Sequence, residues 1–175
     1  EVSRALAAVE GAILLVDGTQ GVQAQTVANM MLAKKENLLI IPAINKIDLP
    51  SCRIEETKEE LKQLIGCNDD DIYLISGKTG AGVRELLSGI VKKIPPPRTK
   101  FKYLNIEISK EVLLRALIFD SQFDNYKGGI AHIRIVDGRM TRGQKVRLLQ
   151  TGAEFEVLEV GEFKPALEST AELNA

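Results

Sequence analysis

The chain has 175 residues, 45% of them hydrophobic and 27% charged, and its 24 acidic and 23 basic groups nearly cancel. That length suits one or two domains with a sizeable core. The longest apolar run, Leu38 to Ile44, falls far short of the roughly 18 residues a membrane-spanning helix needs, and no charged-then-apolar leader opens the chain. A single His and two widely spaced cysteines, Cys52 and Cys67, argue against a zinc site, a histidine triad or a disulfide framework, so a reducing compartment fits best.

Aromatic residues make up 5% and Trp is absent, so the core must be built from Leu, Ile, Val and Ala. Val2, Ala5, Leu6 and Val9 open the chain as a helical stripe. Ala12 to Val16, Leu38 to Ile44 and Ile72 to Ile75 are continuous apolar runs of the kind buried parallel strands use. Between and after them lie three more stripes at three- and four-residue spacing. The first is Ala24, Val27, Ala28, Met31 and Leu32; the second is Ile54, Thr57, Leu61, Leu64 and Ile65. Val83, Leu86, Leu87, Ile90, Val91 and Ile94 form the third. Helix followed by three strand–helix units is the pattern of a parallel α/β sheet.

Pro95-Pro96-Pro97 makes a stiff connector, after which the apolar period drops to two. Ala131, Ile133 and Ile135 alternate with His132 and Arg134, and Val146 and Leu148 with Lys145 and Arg147. Asp137-Gly138 and Thr151-Gly152 supply turn chemistry. The expectation is two domains, 1–97 and 98–175, the second an antiparallel barrel that stops before it closes. Charge follows the same division. Residues 98–147 carry 11 basic and 5 acidic groups, whereas 148–175 hold Lys164 against six Glu. Such a basic stretch fits either a solvated barrel surface or contact with a polyanion.

Ligands of open α/β sheets bind at the carboxyl ends of the strands. The second apolar run ends in Asn45-Lys46-Ile47-Asp48. A carboxylate there can accept from the N1 and N2 donors of guanine, whereas adenine offers an acceptor at N1 and is repelled. Asn45 can bond the base or tie loops together, and the Lys46 stem can cover the flat ring. The third run ends in Ser76-Gly77-Lys78-Thr79-Gly80. A phosphate-binding loop needs a glycine five positions before Gly77, and position 72 is Ile, so that reading fails. A second wall for the base fits better. A backbone N–H in Gly77-Lys78 would then meet guanine O6, with the Lys78 stem on the other ring face; a plain helix-start turn before Val83 is the competing reading.

These two motifs together resemble the base-recognition motifs of translational GTPases. The flanking stretches narrow the likeness: EVSRALAAVEGAILLVDGTQGVQAQT (1–26), INKIDLP (44–50), IPPP (94–97) and ALIFDSQFDNYKGGIAHIRIVDG (116–138). The chain is similar to the LepA, or elongation factor 4, family of ribosome-associated GTPases, with poor matching at 99–112 and after Lys164. The resemblance implies the later part of a GTPase domain, with its N-terminal strands absent, followed by the start of a β-barrel domain. It also implies a parent enzyme that hydrolyses GTP with Mg²⁺ on the ribosome, in back-translocation or ribosome maturation. Asn45, Lys46, Asp48, Ser76, Gly77 and Lys78 carry over as guanine readers.

The phosphate loop, the switch threonine, the Asp-x-x-Gly and the water-orienting His do not occur here, and His132 sits in the second domain. Mg²⁺ ligands are therefore missing, and this chain alone is expected not to hydrolyse GTP. The absent strands would leave an apolar face exposed. Arg115, Lys127, Arg134, Arg139, Arg142, Lys145 and Arg147 are candidate contacts to ribosomal RNA. The alternative is a non-catalytic remnant that binds RNA or the ribosome without nucleotide. A monomer is expected, in a bacterial cytoplasm or at the inner-membrane surface, with a mitochondrial or plastid matrix as the other setting.

Overall fold

The computed structural model describes residues 2–97 and 114–175. The expected linker after the prolines and the start of the second domain lie outside the described residues. The chain divides into two compact units, 1–98 and 99–175.

In the first unit, α1 (Val2–Ala7) leads into β1 (Gly11–Asp17), α2 (Ala24–Lys35), β2 (Leu39–Asn45) and α3 (Ile54–Ile65). A 3-10 turn at Asp69–Asp71 precedes β3 (Tyr73–Leu74) and α4 (Val83–Lys93). The three strands form a parallel sheet in the order β1-β2-β3. Parallel pairing requires a crossover between strands, which α2 and α3 provide. Two apolar clusters flank the sheet. One joins Val16, Ile44 and Ile72 to Leu61 of α3; the other joins Ile41, Ala43 and Ile75 to Leu86 of α4. β2 feeds both clusters because its two faces are covered, which is why it reads as an unbroken apolar run.

Four expectations need correction, one of them on α4, where Leu87 and Val91 of the expected apolar stripe are 56% and 83% exposed. The opening helix stops at Ala7 and buries none of its residues, since so short a helix gains little without packing. The third strand spans only Tyr73–Leu74 rather than Ile72 to Ile75, although the Ile75 amide still donates to the Ile44 carbonyl at 2.8 Å. On α2 the buried residues are Met30 and Ala33, while Ala24, Ala28 and Met31 face solvent. Apolar residues surround that helix on all sides, so their spacing selects no face; packing on β1 and β2 does. Edge strand β1 has Leu14 and Val16 packed inward, whereas Ile13 and Leu15 on its other face are 43% and 53% exposed.

Among its described residues the second unit is antiparallel. β4 (Arg115–Asp124) and β5 (Gly128–Asp137) form a long hairpin. Asp124 builds its turn by accepting from the amides of Tyr126 and Lys127, both at 2.8 Å. Six three-residue strands follow: β6 (Arg139–Thr141), β7 (Lys145–Arg147), β8 (Glu154–Glu156), β9 (Gly161–Phe163), β10 (Leu167–Ser169) and β11 (Glu172–Asn174). They pair as β7 with β8, β9 with β10, and β6 with β11. Among the described residues no closed barrel forms, and only Val157 and Val160 of this unit are buried apolar side chains.

Candidate functional site

The parallel register sets Asp17 beside Asn45, so β1 and β2 end level with one another. Beyond them the chain turns sharply: Lys46 adopts φ 68°, and the Leu49 amide donates to the Lys46 carbonyl at 3.1 Å. Asn45 Oδ1 accepts from the Lys46 amide at 2.8 Å and from the Gly77 amide at 3.0 Å. Ser76, fully buried, donates its hydroxyl to Asp48 Oδ1 at 2.7 Å and accepts from the Thr79 amide at 3.1 Å. Two side-chain hydrogen bonds, with the Ile47 amide donating to the Ile75 carbonyl at 3.3 Å, thus bind the end of β2 and its loop to the segment after β3. Asp48, Gly77 and Lys78 are exposed around the resulting rim.

Asn45, Lys46, Asp48, Ser76 and Gly77 therefore come together, with Lys78 in the same loop. The Gly77 amide is committed to Asn45, so of the two amides expected to meet O6, Lys78 N–H is the one left for it. Asn45 serves as the tie between loops.

Asp17 escaped the sequence reading. Its Oδ2 lies 2.6 Å from Lys46 Nζ, and its Oδ1 accepts from the Thr19 amide and hydroxyl at 2.9 and 2.7 Å. The Lys46 ammonium foremost, then the Thr19 donors, lower its pKa from 3.8 to about 2. The signal was available: Asp17 is a carboxylate at the carboxyl end of a strand, the rule that singled out Asp48. Cys52 lies beneath this edge, its thiol pKa raised by burial and then by the Asp17 and Asp48 charges, which keeps it protonated.

Several described basic residues of the second unit face acidic partners. Arg115 pairs with Asp137, Lys127 with Glu159 at 2.9 Å, and Arg139 with Glu172 at 3.7 Å. Lys145 and Arg147 stand opposite Glu156 and Glu154 across the β7–β8 ladder, and Arg142 acts on the Glu159 carboxylate. Arg134 lies on β5. His132 is on the same strand, edge-on to Phe119 and Phe163 with ring centroids 6.3 and 5.4 Å away, a packed strand residue.

Among the described residues no three His, Cys, Asp or Glu side chains gather in a way that could hold a metal ion, and no helix is long and apolar enough to cross a membrane. The exposed Asp48 carboxylate and Lys46 stem suit a flat base with paired donors.

The sequence matches the family model of the elongation factor Tu GTP binding domain over residues 1–96. It is 50% identical over all 175 residues to elongation factor 4 of Thermotoga maritima, covering 27% of that protein. To elongation factor 4 of Desulfitobacterium hafniense it is 46% identical over the same length, covering 28%. The chain thus spans only about a quarter of the length of these curated relatives. Its fold is similar to that of the apo translation elongation factor SelB from Methanococcus maripaludis, with a TM-score of 0.72 at 23% identity over 97% of this chain and 35% of that one. A bacterial selenocysteine-specific elongation factor, EF-Sec, gives a TM-score of 0.69 at 20% identity over 99% and 28%. With more than half of its length matched, the chain belongs to the elongation factor Tu GTP-binding family of translational GTPases, and the relatives named here that it matches along its whole length are elongation factor 4 proteins.

Proposed function

We propose that this chain is the guanine-reading part of a ribosome-dependent GTPase of the elongation factor 4 type, followed by part of a barrel domain. One observation carries the reading: the Asn45–Gly77 and Ser76–Asp48 hydrogen bonds lock two sequence-distant loops into a single base-sized edge. Asp48 has one oxygen oriented by Ser76 and keeps acceptor capacity for guanine N1–H and N2–H. Lys46 and Lys78 stems cover the ring, and Lys78 N–H meets O6. When bound, Mg²⁺ neutralises phosphate charge in such enzymes. On this reading hydrolysis needs the phosphate loop and Mg²⁺ ligands of a longer protein, and the chain alone is expected to be inactive.

The ribosome is the partner, through RNA phosphates near Arg134, Arg139, Arg142, Lys145 and Arg147. The bacterial relatives support a cytoplasmic setting. The first test is the intact mass of the native protein in its source cells. A species several times 19.2 kDa is expected; one near 19.2 kDa would overturn the enzyme and leave an RNA- or ribosome-binding remnant. With base contacts alone the isolated chain binds GDP weakly, and a sub-micromolar dissociation constant would contradict that.

A further inference from the structure

Lys46 is held at both ends. At its backbone, Asn45 Oδ1 takes the amide and the residue sits at φ 68°, a left-handed conformation that a lysine adopts only when its surroundings impose it. At its tip, Nζ meets Asp17 Oδ2 at 2.6 Å. The carboxylate that receives it is itself fixed, because Thr19 donates twice to its other oxygen. The pair spans the ends of adjacent strands, and the Lys46 side chain stays 48% exposed, so one flank of its stem remains open. A flexible stem loses rotamer freedom when a ring settles on it; one already fixed at both ends loses less on binding.

We infer that Asp17 is a positioning residue of the guanine site, tethering the Lys46 ammonium so that the lysine stem stands extended as a ready wall for the flat face of the base. The inference rests on the guanine reading above and adds to it a residue from a third strand end. The pair is also partly exposed, so its effect on affinity is modest.

The test is a double-mutant cycle in the native-length protein, read by the affinity and release rate of a fluorescent GDP derivative. Asp17→Asn keeps an oxygen to accept from Thr19 while removing the charge; Asp17→Ser serves the same purpose should the amide disturb the turn. Lys46→Met keeps an apolar stem without the ammonium. Asp17→Asn and Lys46→Met are each expected to weaken binding by roughly threefold through faster release, and the double variant to be no weaker than either single one. Multiplying losses would show that Asp17 does not act through Lys46 and would overturn the inference. Unchanged affinity in Asp17→Asn, with guanine preference still lost in Asp48→Asn, would overturn it and leave the guanine reading standing. A wild-type protein that binds no guanine nucleotide would overturn both.

Discussion

Asp48 and Asp17 are carboxylates at neighbouring strand ends, yet their partners give them different work. Asp48 is oriented by one neutral hydroxyl and keeps acceptor capacity for a ligand, whereas both Asp17 oxygens are taken within the protein. Replacing Asp48 with Asn turns one acceptor into a donor facing guanine N1–H and N2–H. Competition between GDP and its inosine counterpart, which lacks the N2 amine, should show preference for GDP falling by about tenfold or more in the native-length protein. Asp17, depressed from 3.8 to about 2, follows linkage in the acid direction. Its folded-state pKa is below its unfolded one, so its bonds contribute fully above the ordinary carboxylate range. That contribution fades as pH falls from 3.8 through about 2. A carbon-13 titration of the carboxyl should find the low midpoint, and Lys46→Met should bring it back upward. Asp48 and Ser76 were legible because their residue types sit at a recognisable spacing. Asp17 could be seen as a carboxylate at a strand end, but its bond to Lys46 could not, because no spacing reveals so distant a partner.

The short elements around the site depend on close approaches that only glycine permits. Gly82 begins α4 at φ 68°, and a Cβ there would lie 1.9 Å from the Leu74 carbonyl oxygen, a backbone atom of β3. Gly82→Ala should therefore cost about 1–3 kcal/mol or more and shift the Ser76–Gly80 loop, seen as a lower melting temperature with weakened guanine binding. Leu61→Ala, which empties a fully buried position where α3 meets β2, should cost about 2–5 kcal/mol in denaturant melts. The stripe on α3 was readable because charged residues mark its outer face, and Thr57 and Leu61 are buried as the spacing implies; on α4 Leu86 is buried but Leu87 and Val91, read into the same stripe, are 56% and 83% exposed. The face of α2 was misread because its apolar residues wrap around it. In the second unit the alternation of Lys145-Val146-Arg147 was readable and falls on β7, but three residues do not reveal which strand they pair with.

At the scale of the whole chain, the described residues present an unpaired strand edge and a partly bare sheet. Among them β1 pairs only with β2, and Ile13 and Leu15 are exposed on it. Open apolar edges promote association between chains. Isolated at high concentration, the 175-residue chain should sediment as a mixture of species, and Leu15→Lys should shift it toward monomer. An exposed apolar face was expected, but the pairing of basic with acidic residues in the second unit was not, since sequence counts charges without placing them. Cross-strand neighbours already balance Lys145 and Arg147. Any RNA affinity of this chain should thus have a shallow salt dependence, with log–log slope no steeper than about −3, rather than the value a full count of its basic groups suggests. The level ending of β1 and β2 bears, finally, on which insertions and deletions the protein can tolerate. One residue added within β1 would move Asp17 about 3.3 Å along the sheet and turn its side chain to the opposite face. Loops such as 66–71 lie away from the rim and can lengthen at little cost. Lineages of this protein should therefore vary in loop length while keeping their strand lengths constant.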